Sequence, residues 1–290
     1  MRLLAYFSSM LAIGLAMALP AAADALYTAT DLGPNFSARA INNSGQIAGA
    51  TFFPATYSAG AVTVLESTYP GAPTAINNSG QVVGWVIQVG LVTAFTYGSG
   101  TVAYLGPFTY PFAMNNSGIV VGGKYPYYNA PAMQPFSYSG GYFSLLNIPG
   151  VTYGEATGVN DAGQIVGWSS TANGQTLHAF LYSSGNLINI GVLPGGSASQ
   201  ANAINCKGQV VGDSLGSAAS PFSTAFTYSN GVIASLGTLP GLPSSSAQAV
   251  NCTGQIVGSS WDPTGSQNRA FLYENGTMYD LNSLLSTDTT

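Results

Sequence analysis

The chain has 290 residues, of which 46% are hydrophobic and only 5% charged, and its formal net charge is −5. Five basic residues leave no electrostatic footprint for nucleic acid, and low charge with ample apolar content is the reverse of a disordered composition. One histidine and two cysteines leave little material for a nucleophilic triad or a dedicated metal centre.

Arg2 opens a short positive region, and Leu3 to Leu19 is apolar. Small residues follow at Ala21-Ala22-Ala23 and Ala23-Asp24-Ala25. This pattern reads as a signal peptide over residues 1–25. The alternative, a membrane anchor, is disfavoured because the run barely reaches the roughly 18 residues needed and stops at Pro20. No later apolar run is that long. A secreted, extracellular or periplasmic location follows, without membrane insertion after cleavage, and helix is expected only in the signal peptide.

From Ala38 onward nearly the same twelve residues recur six times, which is the mark of a repeat architecture. A first glycine stands at Gly45, Gly80, Gly118, Gly163, Gly208 and Gly254, with gaps of 35, 38, 45, 45 and 46 residues. Ala-Ile-Asn or a near variant precedes it. A second glycine follows four residues later, at Gly49, Gly84, Gly122, Gly167, Gly212 and Gly258. The segment predicts a hairpin: a short β-branched strand, an Asn-Asn-Ser-Gly-type turn with glycine in the left-handed position and a bulge, then a second strand. Strand composition returns at Ala94-Phe95-Thr96-Tyr97 and its counterparts, with Thr56-Tyr57 the weak first copy. A glycine three residues past each tyrosine predicts a second hairpin, so each unit holds four strands.

Four-stranded units of about 44 residues predict an all-β fold, a β-propeller of six blades after the helical signal peptide. Residues 26–290 form one domain, with units near 37–70, 71–110, 111–150, 151–196, 197–241 and 242–285. Residues 27–33 resemble the fourth strand of a unit and are expected to help close the ring. Cys206 and Cys252 occupy the turn slot held elsewhere by Asn43, Asn78, Asn116 and Asp161. Equivalent points of neighbouring units commonly lie beyond the 7 Å that a bridge tolerates. Two small turn residues are therefore the plainer reading, and a disulfide, which export permits, is the alternative.

His178-Ala179-Phe180-Leu181-Tyr182, then Leu193-Pro194-Gly195-Gly196, Ala203-Ile204-Asn205 and Gly208 to Gly212 resemble the HAF repeat, a family of extracellular bacterial repeat proteins. The resemblance covers nearly the whole mature chain. One copy keeps the histidine; the others carry Thr93, Gln134, Thr224 and Arg269. It implies export and repeats and supplies no catalytic residues.

His178 sits in a repeat slot that other residues fill, so it reads as structural. Asp213 and Asp262 follow the second glycine of adjacent units and could hold calcium, though solvated loop carboxylates are the plainer reading. Glu155 and Asp213 are the best available acid pair for a glycosidase. No catalytic residue, metal or cofactor is expected. The variable positions carry the binding expectation. Arg39, Asn202 and Gln248 belong to a row two residues before the Ile of the first strand, with Thr74, Phe112 and Thr157. Trp85, Trp168, Trp261, Tyr125, Tyr127 and Tyr128 lie after the second glycine. Such aromatics suit a surface with an apolar and a wet side, though covering blade edges is the plainer reading. The sequence thus points to an exported, non-catalytic protein binding a polysaccharide or a cell-surface protein. A self-associating structural or matrix component and a secreted hydrolase are the alternatives.

Overall fold

The computed structural model describes residues 31–32, 35–130, 132–146, 151–171, 177–217 and 221–284. The expected signal peptide and most of segment 27–33 lie outside them. The described chain is a six-bladed β-propeller of four-stranded antiparallel sheets, each built from four consecutive strands. Blade 1 comprises β1 (Ser37–Ile41), β2 (Ile47–Ala50), β3 (Pro54–Ser58) and β4 (Ala61–Val64). Blade 2 comprises β5 (Gly71–Ile76), β6 (Val82–Gln88), β7 (Leu91–Gly98) and β8 (Thr101–Pro107). Blade 3 holds β9 (Thr109–Met114), β10 (Val120–Lys124), β11 (Gln134–Ser139) and β12 (Tyr142–Leu145). Blade 4 holds β13 (Val151–Val159), β14 (Ile165–Thr171), β15 (Leu177–Ser183) and β16 (Asn186–Gly191). Blade 5 has β17 (Gly196–Ile204), β18 (Val210–Gly216), β19 (Thr224–Ser229) and β20 (Val232–Gly237). Blade 6 has β21 (Ser244–Val250), β22 (Ile256–Trp261), β23 (Asn268–Glu274) and β24 (Thr277–Asp280). The helix among the described residues is one 3-10 turn, Leu281–Leu284, and no helix there is long and apolar enough to cross a membrane.

The recurrent turn explains the hub. In blade 1 the Asn42 amide donates to the Gln46 carbonyl and Gly45 donates back to the Asn42 carbonyl, with Gly45 at φ 78°. This is the expected three-residue turn with a left-handed glycine, and it repeats in every blade. The side chain of the same asparagine closes its own turn: Asn42 Oδ1 accepts from the amides of Ser44 (3.1 Å) and Gln46 (3.0 Å). Its Nδ2 then reaches the next blade and donates to the Asn77 carbonyl at 3.0 Å. The relay continues from Asn77 to Asn115, Asn115 to Asn160, Asn160 to Asn205 and Asn205 to Asn251. Among the described residues no such bond joins Asn251 to Asn42.

One residue further on, a second relay runs outside the first. The Asn43 amide donates to Asn78 Oδ1 (3.0 Å), Asn78 to Asn116 Oδ1 (2.9 Å), and Asn116 to Asp161 Oδ1 (2.8 Å). The next two members of this ring are Cys206 and Cys252, and they form a disulfide. The expectation that neighbouring turn slots lie too far apart is thereby corrected. Their Cα atoms are 5.5 Å apart because inner turns of adjacent blades converge on the axis.

The second glycine of each unit does not turn the chain. It lies within the second strand, facing a bulge in the first. In blade 4 Ala156 pairs with Gly167 and Gly158 with Val166, so Thr157 is unpaired. A Cβ on Gly167 would collide with the Glu155 carbonyl and stand 2.9 Å from Cζ of Phe180. The fully buried rings of Phe95, Phe136, Phe226 and Phe271 are the counterparts of nearly buried Phe180 in the third strands. Blade 1 has Ala55 at this place, and the Phe36 ring takes over the space against Gly49.

The outer hairpins turn on two residues that both have positive φ: Ala59-Gly60, Ser99-Gly100, Gly140-Gly141, Ser184-Gly185, Asn230-Gly231 and Asn275-Gly276. This mirror-image turn matches the twist of the strands.

Asn115 is buried and makes three bonds that water cannot replace: from the amides of Ser117 and Ile119, and to the Asn160 carbonyl. Asn115→Ala is expected to lower unfolding free energy by about 2–4 kcal/mol. Asn251→Ala, at the exposed end of the relay, costs only about 1 kcal/mol. Chemical denaturation of both variants checks the ratio.

Candidate functional site

Antiparallel meanders put the asparagine turns on one face of the propeller. The connections from second to third strand, and from each blade to the next, lie on the opposite face. On that opposite face, between blades 2 and 3, is a cleft of about 290 Å³ walled by Phe108, Tyr110, Tyr125, Tyr127 and Tyr128, with Gly90 and Asn129 on its lip. Three segments build it: the β6–β7 turn, the crossover from β8 to β9, and the β10–β11 loop. Backbone bonds tie them together. Phe108 donates to the Val92 carbonyl at 2.8 Å, and Tyr125 to the Phe108 carbonyl at 2.9 Å.

The rings are arranged rather than scattered. Tyr110 and Tyr125 meet edge to face at 5.9 Å, and Phe108 and Tyr128 are tilted at 6.1 Å. Tyr127 and Tyr128 are 59% and 66% exposed, so their faces remain available. Burial holds the Tyr110 hydroxyl pKa above its ordinary value. Beneath the crossover, Lys124 Nζ donates to the Pro107 carbonyl (3.1 Å) and to Thr109 Oγ1 (2.8 Å), and its burial lowers the ammonium pKa.

Backbone strain concentrates here. Among the described residues eight non-glycine residues have positive φ. Five are first residues of the outer two-residue turns. The other three are Phe108 (59°) and Asn129 (58°), which line this cleft, and Val89 (52°), which opens the two-residue β6–β7 turn whose Gly90 lines it. Valine and phenylalanine are poorly suited to the left-handed region, and such residues cluster at functional sites.

The residues singled out from sequence are therefore divided. Tyr125, Tyr127 and Tyr128 come together; Phe108 and Tyr110, which complete the wall, were not singled out. The three tryptophans are not gathered. Trp168 is buried edge to face on Tyr153 at 5.0 Å, and Trp85 and Trp261 are half-buried in their own blades. Arg39, Thr74, Phe112, Thr157, Asn202 and Gln248 are the unpaired residue of each inner-strand bulge. Arg39 is exposed. Asn202 Nδ2 crosses to the Ala247 carbonyl at 2.8 Å and Thr157 Oγ1 to the Ala201 carbonyl at 2.6 Å, so these two serve blade junctions. Gln248 donates to Ser246 Oγ.

The carboxylates do not converge. Asp213 Oδ1 accepts from Ser246 Oγ (2.8 Å) and Asn202 Nδ2 (3.3 Å) at the junction of blades 5 and 6, and burial raises its pKa. Glu155 packs over Gly123 at the junction of blades 3 and 4, and burial raises its pKa too, partly offset by Trp168. Asp262 closes its own exposed loop on Thr264 and Ser266. His178 Nδ1 is buried and has no hydrogen-bond partner among the described residues. Among the described residues no three His, Cys, Asp or Glu are grouped to hold a metal.

A second concavity, about 480 Å³, opens on the axis at the asparagine face, ringed by Ile41, Ile76, Met114, Val159, Ile204 and Val250 and by the turn residues. Five of its six inner side-chain amides are committed to the relay.

No protein-family model and no curated protein matches the sequence. Solved structures with the same fold include the β-propeller domain of the Trilobed protease from Pyrococcus furiosus, described as having an open velcro topology. Its TM-score is 0.61 at 11% identity, covering 85% of this chain and 84% of that one. An acylaminoacyl peptidase from Pyrococcus horikoshii matches with TM-score 0.59 at 12% identity, over 86% of this chain and 45% of that one. TolB from Acinetobacter baumannii matches with TM-score 0.51 at 12% identity, over 82% and 57%. The chain spans about half the length of the latter two. At these identities the likeness is one of fold.

Val89→Asn relieves a valine held at φ 52° in a turn that favours asparagine, and is expected to raise unfolding free energy by about 1 kcal/mol. Asn230→Val is expected to cost a similar amount. For Asp213 the folded pKa is raised from 3.8, so its contribution favours the fold at low pH and is lost as pH rises through the raised value. Asp213→Asn should therefore gain on the wild type as pH climbs from about 4 to 7. Thermal melts across that range read the difference.

Proposed function

We propose that this chain is an exported, non-catalytic propeller that binds a glycan in the aromatic cleft between blades 2 and 3. The observation that carries the reading is the convergence of five aromatic side chains on a crossover whose Phe108 is held at a strained left-handed φ of 59°. Sugars present apolar C–H faces edged with hydroxyls, and tyrosines offer flat apolar rings with polar tips. Asn129 and the exposed backbone at Gly90 add polar partners on the lip, as small-ligand sites require.

Two features favour binding over hydrolysis. Glu155 and Asp213 stand at different blade junctions, each engaged by its own partners. Among the described residues none that lines the cleft is a carboxylate. Export rests on the N-terminal apolar segment and on the resemblance to HAF repeats.

Screening the purified chain against a glycan array, followed by calorimetry on the best ligand, tests the reading. Tyr127→Ala with Tyr128→Ala is expected to weaken binding at least tenfold, from about 1 kcal/mol of stacking per ring. An array without enrichment rejects the glycan, and binding lost only on Trp85, Trp168 and Trp261 replacement moves the site elsewhere.

A further inference from the structure

We infer that the outer edges of blades 1 and 3 pair with the same edges of a second copy of this chain. Among the described residues every blade ends in an outermost strand with no partner on its far side: β4, β8, β12, β16, β20 and β24. Such edges invite strand addition unless charge, proline or bulges guard them. Across all six strands there is no lysine or arginine, and the one carboxylate is Asp280, paired with Arg269 at 3.5 Å. Ten of the seventeen exposed large hydrophobic side chains among the described residues lie on these strands.

The six edges are not equal. The β7–β8, β15–β16 and β19–β20 ladders each contain a register shift that twists the edge away. β24 carries Asp280. The β3–β4 and β11–β12 ladders run without a shift and without charge. These two edges have none of the usual protections.

Register says which groups they present. In blade 3 the two-residue turn places Ser139 opposite Tyr142 as the first bonded pair, so Tyr142 and Ser144 bond inward. Phe143 and Leu145 then direct their amides and carbonyls outward. In blade 1 Ser58 faces Ala61, and Val62 and Val64 are the outward residues. Side chains on both edge strands are exposed: Val62 44%, Val64 46%, Tyr142 80% and Leu145 53%. Phe143 is pinned against Tyr138 and Phe136 at 4.9 and 5.3 Å, which holds the edge in place.

A second copy is the occupant these edges fit. Two identical antiparallel strands related by a two-fold axis satisfy each other's backbone groups with no further complementarity, and here no charge repels them. A four-residue ladder buries far less than the roughly 1,200 Å² of a stable interface, so each contact is weak. Two such edges per molecule make the association open-ended.

Sedimentation velocity on the purified chain from about 1 to 500 µM tests this. The monomer is 29.6 kDa. Average mass is expected to pass beyond that of a dimer as concentration rises, and to respond little to salt, since no ion pairs contribute. Val62→Lys with Val64→Lys should stop growth at the dimer formed through β12. Tyr142→Lys with Leu145→Lys should stop it at the dimer formed through β4. The combined variant should remain monomeric with an unchanged circular dichroism spectrum. Val64→Pro, which removes an outward amide without adding charge, should act like the lysine pair in β4. A wild type that stays monomeric throughout overturns the proposal. So does association that survives the combined variant, or that is abolished instead by the Tyr127→Ala, Tyr128→Ala change in the cleft.

Discussion

The structure depends on one side chain used six times. An asparagine in the inner turn accepts two amides of its own turn in five blades and one in blade 4, and in five of the six blades donates to the carbonyl of the asparagine in the next. The same residue therefore specifies the local hairpin and the spacing between blades. This removes a difficulty of charge-poor repeat proteins, which have few ion pairs to fix the angle between neighbours. The bonds lie at the centre of the ring, where Asn77, Asn115, Asn160 and Asn205 are buried and an unmade bond would leave polar groups without water. Glutamine four residues on completes the set: Asn42, Asn77, Asn160, Asn205 and Asn251 each donate to its Oε1.

The second recurrent constraint is steric. A bulge in the inner strand drives a backbone carbonyl into the space where a Cβ would stand on the second strand, and the third-strand phenylalanine presses on the same point. Glycine is the residue that accommodates both. The bulge leaves one residue per blade outside the ladder, and that residue is the one free to vary, from Arg39 to Phe112 to Gln248. The variability that marks this row in the sequence is thus a consequence of its missing pairing. Two of its members, Thr157 and Asn202, use their freedom to reach the neighbouring blade.

Much of this was legible from sequence because it is local and repeated. The left-handed turn glycine, the outer two-residue turns and the four strands per unit all follow from spacing and residue type. The disulfide was not, because sequence separation of 46 residues says nothing about convergence on an axis. Nor was the asparagine relay, whose inter-blade half has no local signature. The aromatic cleft was half legible. Tyr125, Tyr127 and Tyr128 lie in one loop and stood out together, but Phe108 and Tyr110 belong to a crossover that only the ring brings alongside. The tryptophans misled for the converse reason: equal repeat positions, as for Trp85 and Trp168, put equivalent residues in different blades, never in one pocket.

The ring is not uniformly fastened, and the pattern bears on where a rigid site can stand. Junctions 1–2, 2–3 and 3–4 carry both relays; junction 5–6 carries the inner relay and the disulfide, whose closure of a 46-residue loop contributes about 4 kcal/mol in a chain-entropy view. Between blades 6 and 1 the described residues show neither. The difference registers in packing: Val83, Val121, Val166 and Val211 are wholly buried against the following blade, whereas Val257 is 41% exposed. On the other side of that seam Ile41 is 65% exposed, against 9% for Ile76 and Ile204. The strained cleft lies between blades 2 and 3, in the middle of the doubly fastened arc. Left-handed valine and phenylalanine persist only where the surroundings over-determine the backbone, and this arc supplies that excess. The disulfide meanwhile holds blade 6 to blade 5, so the seam can loosen without releasing the terminal blade or disturbing the cleft.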